Sequence, residues 1–186
     1  MTAANSFNAD AFGAMPLIAI LRNQRAEIIV PVVQALVEGG FTALEITMNS
    51  PGAADQIRTA ARSAQGRLAI GAGTVTSLAE LDEAEMAGAS FVVTPVVVPD
   101  VITECVRRGL PVFPGAFTPT EIHQAHQLGA TMVKLFPAHR LGPAYIRDLK
   151  APLSSIRLLA TGGITPESLP DYAQAGAEEG ETLLHG

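Results

Sequence analysis

The chain has 186 residues, 48% of them hydrophobic and 16% charged, enough to bury a sizeable core in one domain and too apolar for a disordered chain. A formal net charge of −6, with no Lys/Arg cluster beyond Arg107-Arg108, excludes nucleic-acid and anionic-membrane surfaces as partners. The longest apolar runs, MPLIAIL and SFVVTPVVVP, fall short of the roughly 20 residues that span a bilayer, and MTAANSFNAD carries no basic leader, so a soluble cytoplasmic protein is expected.

In chain order, NSFNADAFGA predicts a short helix ahead of the first strand. Seven β-rich runs follow: PLIAIL (16–21), ALEIT (43–47), LAIGAGTV (68–75), FVVTP (91–95), PVFPGA (111–116), MVKLFP (132–137) and RLLATGG (157–163). Most are nearly continuously apolar, as strands of a parallel sheet covered on both faces are. Each is followed by a stretch with apolar residues near helical spacing, several ending at Gly. Ser77 with Glu80 and Thr118 with Glu121 fit capping boxes, while Ser50-Pro51 and Thr165-Pro166 fit an N-cap followed by Pro at the first helical position. Pro31 is expected to kink the first of these helices or to move its start.

Seven βα units at intervals of about 20 to 26 residues match a (β/α)8 TIM-type barrel or a doubly wound sheet. No strand runs into a GxGxxG with a suitably placed acid, so the barrel is favoured. It is expected to occupy residues 1–186 as a single domain, with the N-terminal helix over its floor.

In such a barrel the chemistry sits at the C-terminal ends of the strands. Arg22, Glu45, Thr74, Pro95, Lys134 and Thr161-Gly162-Gly163 lie there. Lys134, among Met132, Val133, Leu135 and Phe136, is expected to be desolvated, with a lowered pKa and a nucleophilic neutral amine. Glu45, between Leu44 and Ile46, is expected to have a raised pKa and to exchange protons near neutrality. Arg22 offers a guanidinium fork for a carboxylate.

Residue chemistry leaves two readings: a buried structural Lys134–Glu45 ion pair, or an active site. Arg22 favours the second, since a closed pair needs no third charge whereas an enzyme acting on a keto acid needs a nucleophile, a proton carrier and a carboxylate clamp. TGGI reads either as an ordinary glycine turn or as backbone amides for a phosphate. His139, after the sixth strand, is a candidate substrate contact. His123 and His126 read as a helix surface rather than a metal site, and the single cysteine, Cys105, as a packing residue.

At LIAILR, EITMNSP, IGAGTV, VVTP, FPGAFTPTE, KLFPAHRLGPAYIRDLKAPL and ATGGI the chain resembles the class I aldolases that cleave 2-keto-3-deoxy-6-phosphogluconate, 4-hydroxy-2-oxoglutarate or 2-keto-3-deoxy-6-phosphogalactonate. The resemblance runs from about Pro16 to Gly176. It implies that Lys134 forms the Schiff base, Glu45 is the general acid/base, Arg22 binds the carboxylate, Thr74 and Pro95 line the pyruvate end, and Thr161, Gly162 and Gly163 bind the rest of the substrate, the two glycines taking the phosphate. It implies no metal and no cofactor, pyruvate and a phosphorylated keto acid as ligands, and a homotrimer.

Gluconate-type members carry the carboxylate arginine four residues after the glutamate, where this chain has Asn49. Arg22 in AILR, NSP and LGPAYI resemble the galactonate branch instead, whereas Thr161 is common in gluconate-type members. The expected reaction is cleavage of 2-dehydro-3-deoxy-6-phosphogalactonate to pyruvate and glyceraldehyde 3-phosphate; the alternatives are the gluconate epimer or 4-hydroxy-2-oxoglutarate, and, in another class, a non-catalytic phosphosugar-binding barrel. A metal-dependent sugar-phosphate epimerase is disfavoured because the strand ends lack a His/Asp cluster. Finally, AEEGETLLHG has three glutamates and two glycines where the family has a buried strand and a phosphate loop. Residues 177–186 are therefore expected to be an atypical tail, with the eighth strand missing or altered.

Overall fold

The computed structural model describes residues 6–177 and 179–183, the last five as backbone. Strands β1 (Leu17–Leu21), β2 (Ala43–Thr47), β3 (Ala69–Gly73), β4 (Val92–Thr94), β5 (Val112–Ala116), β6 (Val133–Leu135), β7 (Leu158–Thr161) and β8 (Glu179–Leu183) pair in sequence order into a closed parallel barrel. Helices α1 (Ala9–Ala14), α2 (Ile29–Glu38), α3 (Ala53–Ala64), α4 (Leu78–Ala87), α5 (Pro99–Arg108), α6 (Pro119–Gln127), α7 (Gly142–Lys150) and α8 (Leu169–Gln174) alternate with them.

Strands β1 to β7 bury both faces, and successive residues alternate between the outer layer packed against the helices and the barrel interior. Outward positions such as Ala19, Leu44, Ile70 and Val92 pack with helix residues Ile29, Val33, Ile57 and Leu81, while Val133, Leu135, Leu158 and Ala160 pack with Ile146, Leu149 and Tyr172. Inward positions Ile18, Ala43, Ala69, Phe91, Val93, Phe113, Met132 and Leu159 form a third cluster inside the barrel. Side chains that alternate with period two thus make both layers apolar, which is why the strands lack visible alternation.

The expected N-terminal helix seals the floor. Asn8 caps α1, its Oδ1 accepting the N–H of Asp10 and of Ala11, both at 3.0 Å. This turns Phe12 inward, where Phe7, Phe12, Phe91 and Phe113 pack edge-on or tilted at centroid separations of 5.0–6.5 Å. Gly71 makes room for this plug, since a Cβ there would overlap the Phe91 ring.

Both predicted capping boxes form, Ser77 with Glu80 on α4 and Thr118 with Glu121 on α6. Ser50 does not cap α3. The N-cap is Gly52 at φ 69°, and the Ser50 hydroxyl is used elsewhere. Thr165 likewise exchanges hydrogen bonds with Ser168 in a separate turn, so α8 starts at Leu169. Around Pro31 the chain shifts its helix start: a 3-10 turn, Ala26–Ile28, precedes α2, and the proline falls in the first α-helical turn, where the missing N–H costs little.

Of the two expectations for the eighth strand, missing or altered, the first is corrected and the second holds. Glu179–Leu183 runs parallel between β7 and β1, with Leu159 opposite Glu179, Thr161 opposite Glu181, Leu17 opposite Gly180 and Ile20 opposite Leu183. Composition argued against a strand here, but the seam is closed by backbone groups, and both flanking strands otherwise keep open edges. What is altered is the sequence of the strand, EGETL, rather than its presence. Residues 178 and 184–186 of the expected tail lie outside the described residues.

Candidate active site

Above the phenylalanine floor the inward positions turn polar. Two residues on from Ala43 and Met132 come Glu45 and Lys134, and two on from Leu159 comes Thr161; these are 1%, 5% and 2% exposed. Glu45 lies in register between Ile20 of β1 and Gly71 of β3. Its carboxylate occupies the space over the next inward residue of β3, because a Cβ on Gly73 would overlap Glu45 Oε1. Lys134 lies between Gly115 of β5 and Leu159 of β7, with Nζ 5.4 Å from the centroid of the Phe136 ring. The barrel therefore places an amine and a carboxylate on one buried inner surface, facing its C-terminal mouth. The Thr161 hydroxyl, on the same surface, has no hydrogen-bond partner among the described residues.

Arg22 stands just past β1 on the rim, exposed, and enters no ion pair among the described residues. Beyond it the chain turns through Asn23 at φ 54°, a left-handed conformation that is uncommon outside glycine. Ser50 holds this turn: its Oγ accepts the Asn23 N–H at 2.9 Å and lies 2.8 Å from Thr47 Oγ1. The rim after β1 is thus tied to the end of the strand that carries Glu45.

Thr74 follows β3 at φ 57° and is half-buried. Pro95 follows β4, and its carbonyl leans over Gly115 where a side chain would overlap it. Gly162 and Gly163 follow β7 in two successive left-handed conformations, φ 89° and 73°. His139, from the 3-10 turn Ala138–Arg140 after β6, packs on them with Nδ1 3.0 Å from the Gly162 carbonyl. All the predicted positions thus gather at one end of the barrel, three of them inside it and the others around its rim.

The remaining candidates lie elsewhere. Cys105 is fully buried on α5, and burial pushes its thiol up to about 12, so it packs and stays protonated. His123 is exposed and His126 half-buried on α6, away from the mouth. A surface cleft of about 430 Å³, lined by residues including Arg25, Glu27, Asp55 and Gln56, contains none of the predicted positions. Sequence reasoning did not pick out Gly73, the tie of Ser50 to Asn23 or the His139–Gly162 contact. For Gly73 a signal exists, because Gly71 and Gly73 are alternate inward residues beside a glutamate-bearing strand; the other two depend on loops remote in sequence.

The fold and site thus define a (β/α)8 barrel with a buried lysine and glutamate at its mouth and an arginine on its rim. Residues 10–180 match the family described as Aldolase: KDPG and KHG aldolase, and the chain belongs to that family. It is 42% identical to the probable 2-dehydro-3-deoxy-6-phosphogalactonate aldolase of Rhizobium meliloti, over 87% of this chain and 76% of that protein. It is 36% identical to the 2-dehydro-3-deoxy-phosphogluconate aldolase of Treponema pallidum, over 88% and 78%. The solved native KDPGal structure superposes with a TM-score of 0.87 at 38% identity, over 90% of this chain and 82% of that one.

Proposed function

We propose that the protein is a class I aldolase, a carbon–carbon lyase, that cleaves 2-dehydro-3-deoxy-6-phosphogalactonate to pyruvate and glyceraldehyde 3-phosphate. The observation that carries this reading is the burial of Lys134 and Glu45, at 5% and 1% exposure, on one inner surface above a sealed apolar floor. Bulk water is kept from the amine, and the route in is the strand-end mouth where Arg22 stands.

The Lys134 amine attacks the C2 carbonyl, and Glu45 gives a proton to the departing hydroxyl as water leaves and the iminium forms. Glu45 then removes the C4 hydroxyl proton. The C3–C4 bond breaks, its electron pair moves into the iminium as an enamine, and the aldehyde departs. Protonation of C3 and hydrolysis of the imine release pyruvate and restore the amine. The iminium is the electron sink, so these steps call for no metal or cofactor. Arg22 anchors the C1 carboxylate, Thr74 and Pro95 border the pyruvate end, and the Gly162 and Gly163 amides receive the phosphate.

The gluconate epimer is the second reading, favoured by one observation: the buried Thr161 hydroxyl, free of protein partners among the described residues, is available to a substrate hydroxyl. The same proposal takes the enzyme as a cytoplasmic homotrimer, with light scattering as the check on its assembly.

Borohydride reduction in the presence of pyruvate tests the mechanism. Peptide mapping is expected to find a reduced pyruvyl group on Lys134; labelling at Lys150 alone, or nowhere, would favour the phosphosugar-binding barrel. Cleavage rates for the two C4 epimers decide the substrate, and a strong gluconate preference would reverse the galactonate assignment.

A further inference from the structure

The turn after β7 is held by a residue of the preceding βα unit. Gly162 and Gly163 both adopt left-handed conformations, so the turn has no side chains with which to fix itself. Its fixation comes from His139. The Gly162 carbonyl accepts the His139 backbone N–H at 3.1 Å and lies 3.0 Å from its Nδ1. A carbonyl oxygen only accepts, so Nδ1 carries a proton, and in the neutral ring the lone pair is on Nε2. The imidazole is also packed flush on the next residue, where a Cβ on Gly163 would lie 2.6 Å from His139 Cγ. On the other side, a Cβ on Gly162 would meet the Phe136 ring at 3.1 Å. Phe136 and His139 both belong to the segment that continues β6 beyond Lys134, so one stretch of chain grips the turn from two sides.

We propose that His139 is a positioning residue: through its Nδ1–H and ring face it sets the Gly162–Gly163 turn in the conformation that receives the substrate phosphate. His139 thereby contributes to discrimination between phosphorylated and unphosphorylated keto acids. It does so without touching the reacting carbons. This rests on the aldolase reading above, in which those glycine amides bind phosphate. Adjacent backbone amides recognise an anion only while their directions are held, so a loosened turn loses phosphate affinity more than it loses chemistry.

The test compares two substrates in three variants. His139→Ala is expected to raise KM for the phosphorylated keto acid about tenfold, as loss of one hydrogen bond that orders a binding turn does, with a smaller change in kcat. The same keto acid without its phosphate is expected to change less than about twofold in kcat/KM. His139→Asn places an amide N–H where Nδ1 was and is expected to restore the phosphorylated substrate; His139→Gln, whose amide reaches the Nε2 position, is not. Equal losses on both substrates would overturn the proposal, as would rescue by Gln and not Asn, which would make Nε2 a direct substrate contact. Borohydride trapping of pyruvate on Lys134 in each variant separates this from failure of the underlying reading. If the wild-type chain forms no such adduct, the aldolase reading fails; if it does and the substrate pattern is absent, the role of His139 fails.

Discussion

Gly73 has no side chain, and Glu45 uses that fact. An inward residue of β3 with a Cβ would occupy the volume that holds Glu45 Oε1. The β2 backbone is fixed by pairing on both sides, so the carboxylate, as the softer partner, must move. Gly73→Ala is therefore expected to slow imine formation with pyruvate about 100-fold, the usual cost of displacing a reacting group by about an ångström. It is also expected to destabilise the fold by about 1–3 kcal/mol through overpacking. Borohydride-trapping kinetics and thermal melts measure the two effects separately, and an unchanged trapping rate would mean that Glu45 does not serve in that position. The lysine and the acid were legible residue by residue, because charge inside an apolar run is conspicuous. The notch was not, because a missing side chain has meaning only once its neighbour across the sheet is known.

At the scale of elements, α4 and α5 are joined by charge as well as by packing. Arg108, in the last turn of α5, bonds Asp82 and Glu85 of α4, each at 2.6 Å, and Glu104 one turn back at 2.7 Å, while Arg107 also takes Glu104 at 2.6 Å. Hydrogen bonds from Arg107 and then Arg108 hold the Glu104 carboxyl down at about 2, against an ordinary value of 4.5. A carboxylate held below its unfolded value contributes stability that is fully present above about pH 4.5 and is lost as the pH falls through about 2. Glu104→Gln is thus expected to melt below the wild-type chain at pH 7, with the gap closing as the pH is lowered across that window and shrinking in high salt. A gap that stays constant from pH 7 to the acid limit of folding would assign the effect to packing. The pattern VITECVRRG showed the helix and its basic end, but the acidic partners on α4 came from another βα unit.

At the scale of the whole molecule, the barrel closes through a segment whose composition argues against a strand. Gly180 lies opposite Ala160 of β7 and Leu17 of β1, inside the seam. Proline there would fix φ, remove the N–H and place a ring in the ladder. Gly180→Pro is expected to lower the melting temperature and to broaden the transition, since β1 and β7 would lose their shared neighbour. Circular dichroism melts would check this, and a wild-type melting curve would show that the seam contributes little to the closed fold.

Seven of the eight strands, both capping boxes, the floor helix and the end of the barrel that carries the polar residues were determined by the sequence alone. Each is written in local order: apolar runs of strand length, cap residues three positions apart, polar groups where a strand stops. The helix starts after Ser50 and Thr165 were decided otherwise, because the Ser50 hydroxyl pairs with that of Thr47 and the Thr165 hydroxyl accepts the Ser168 N–H in a turn ahead of α8. Closure by β8, the space for Glu45 over Gly73, the Ser50 tie to Asn23 and the grip of His139 on Gly162 were decided only by the tertiary structure. The physical reason is shared. These features are set by unsatisfied backbone groups and by empty volume, and both exist only between segments far apart in the chain.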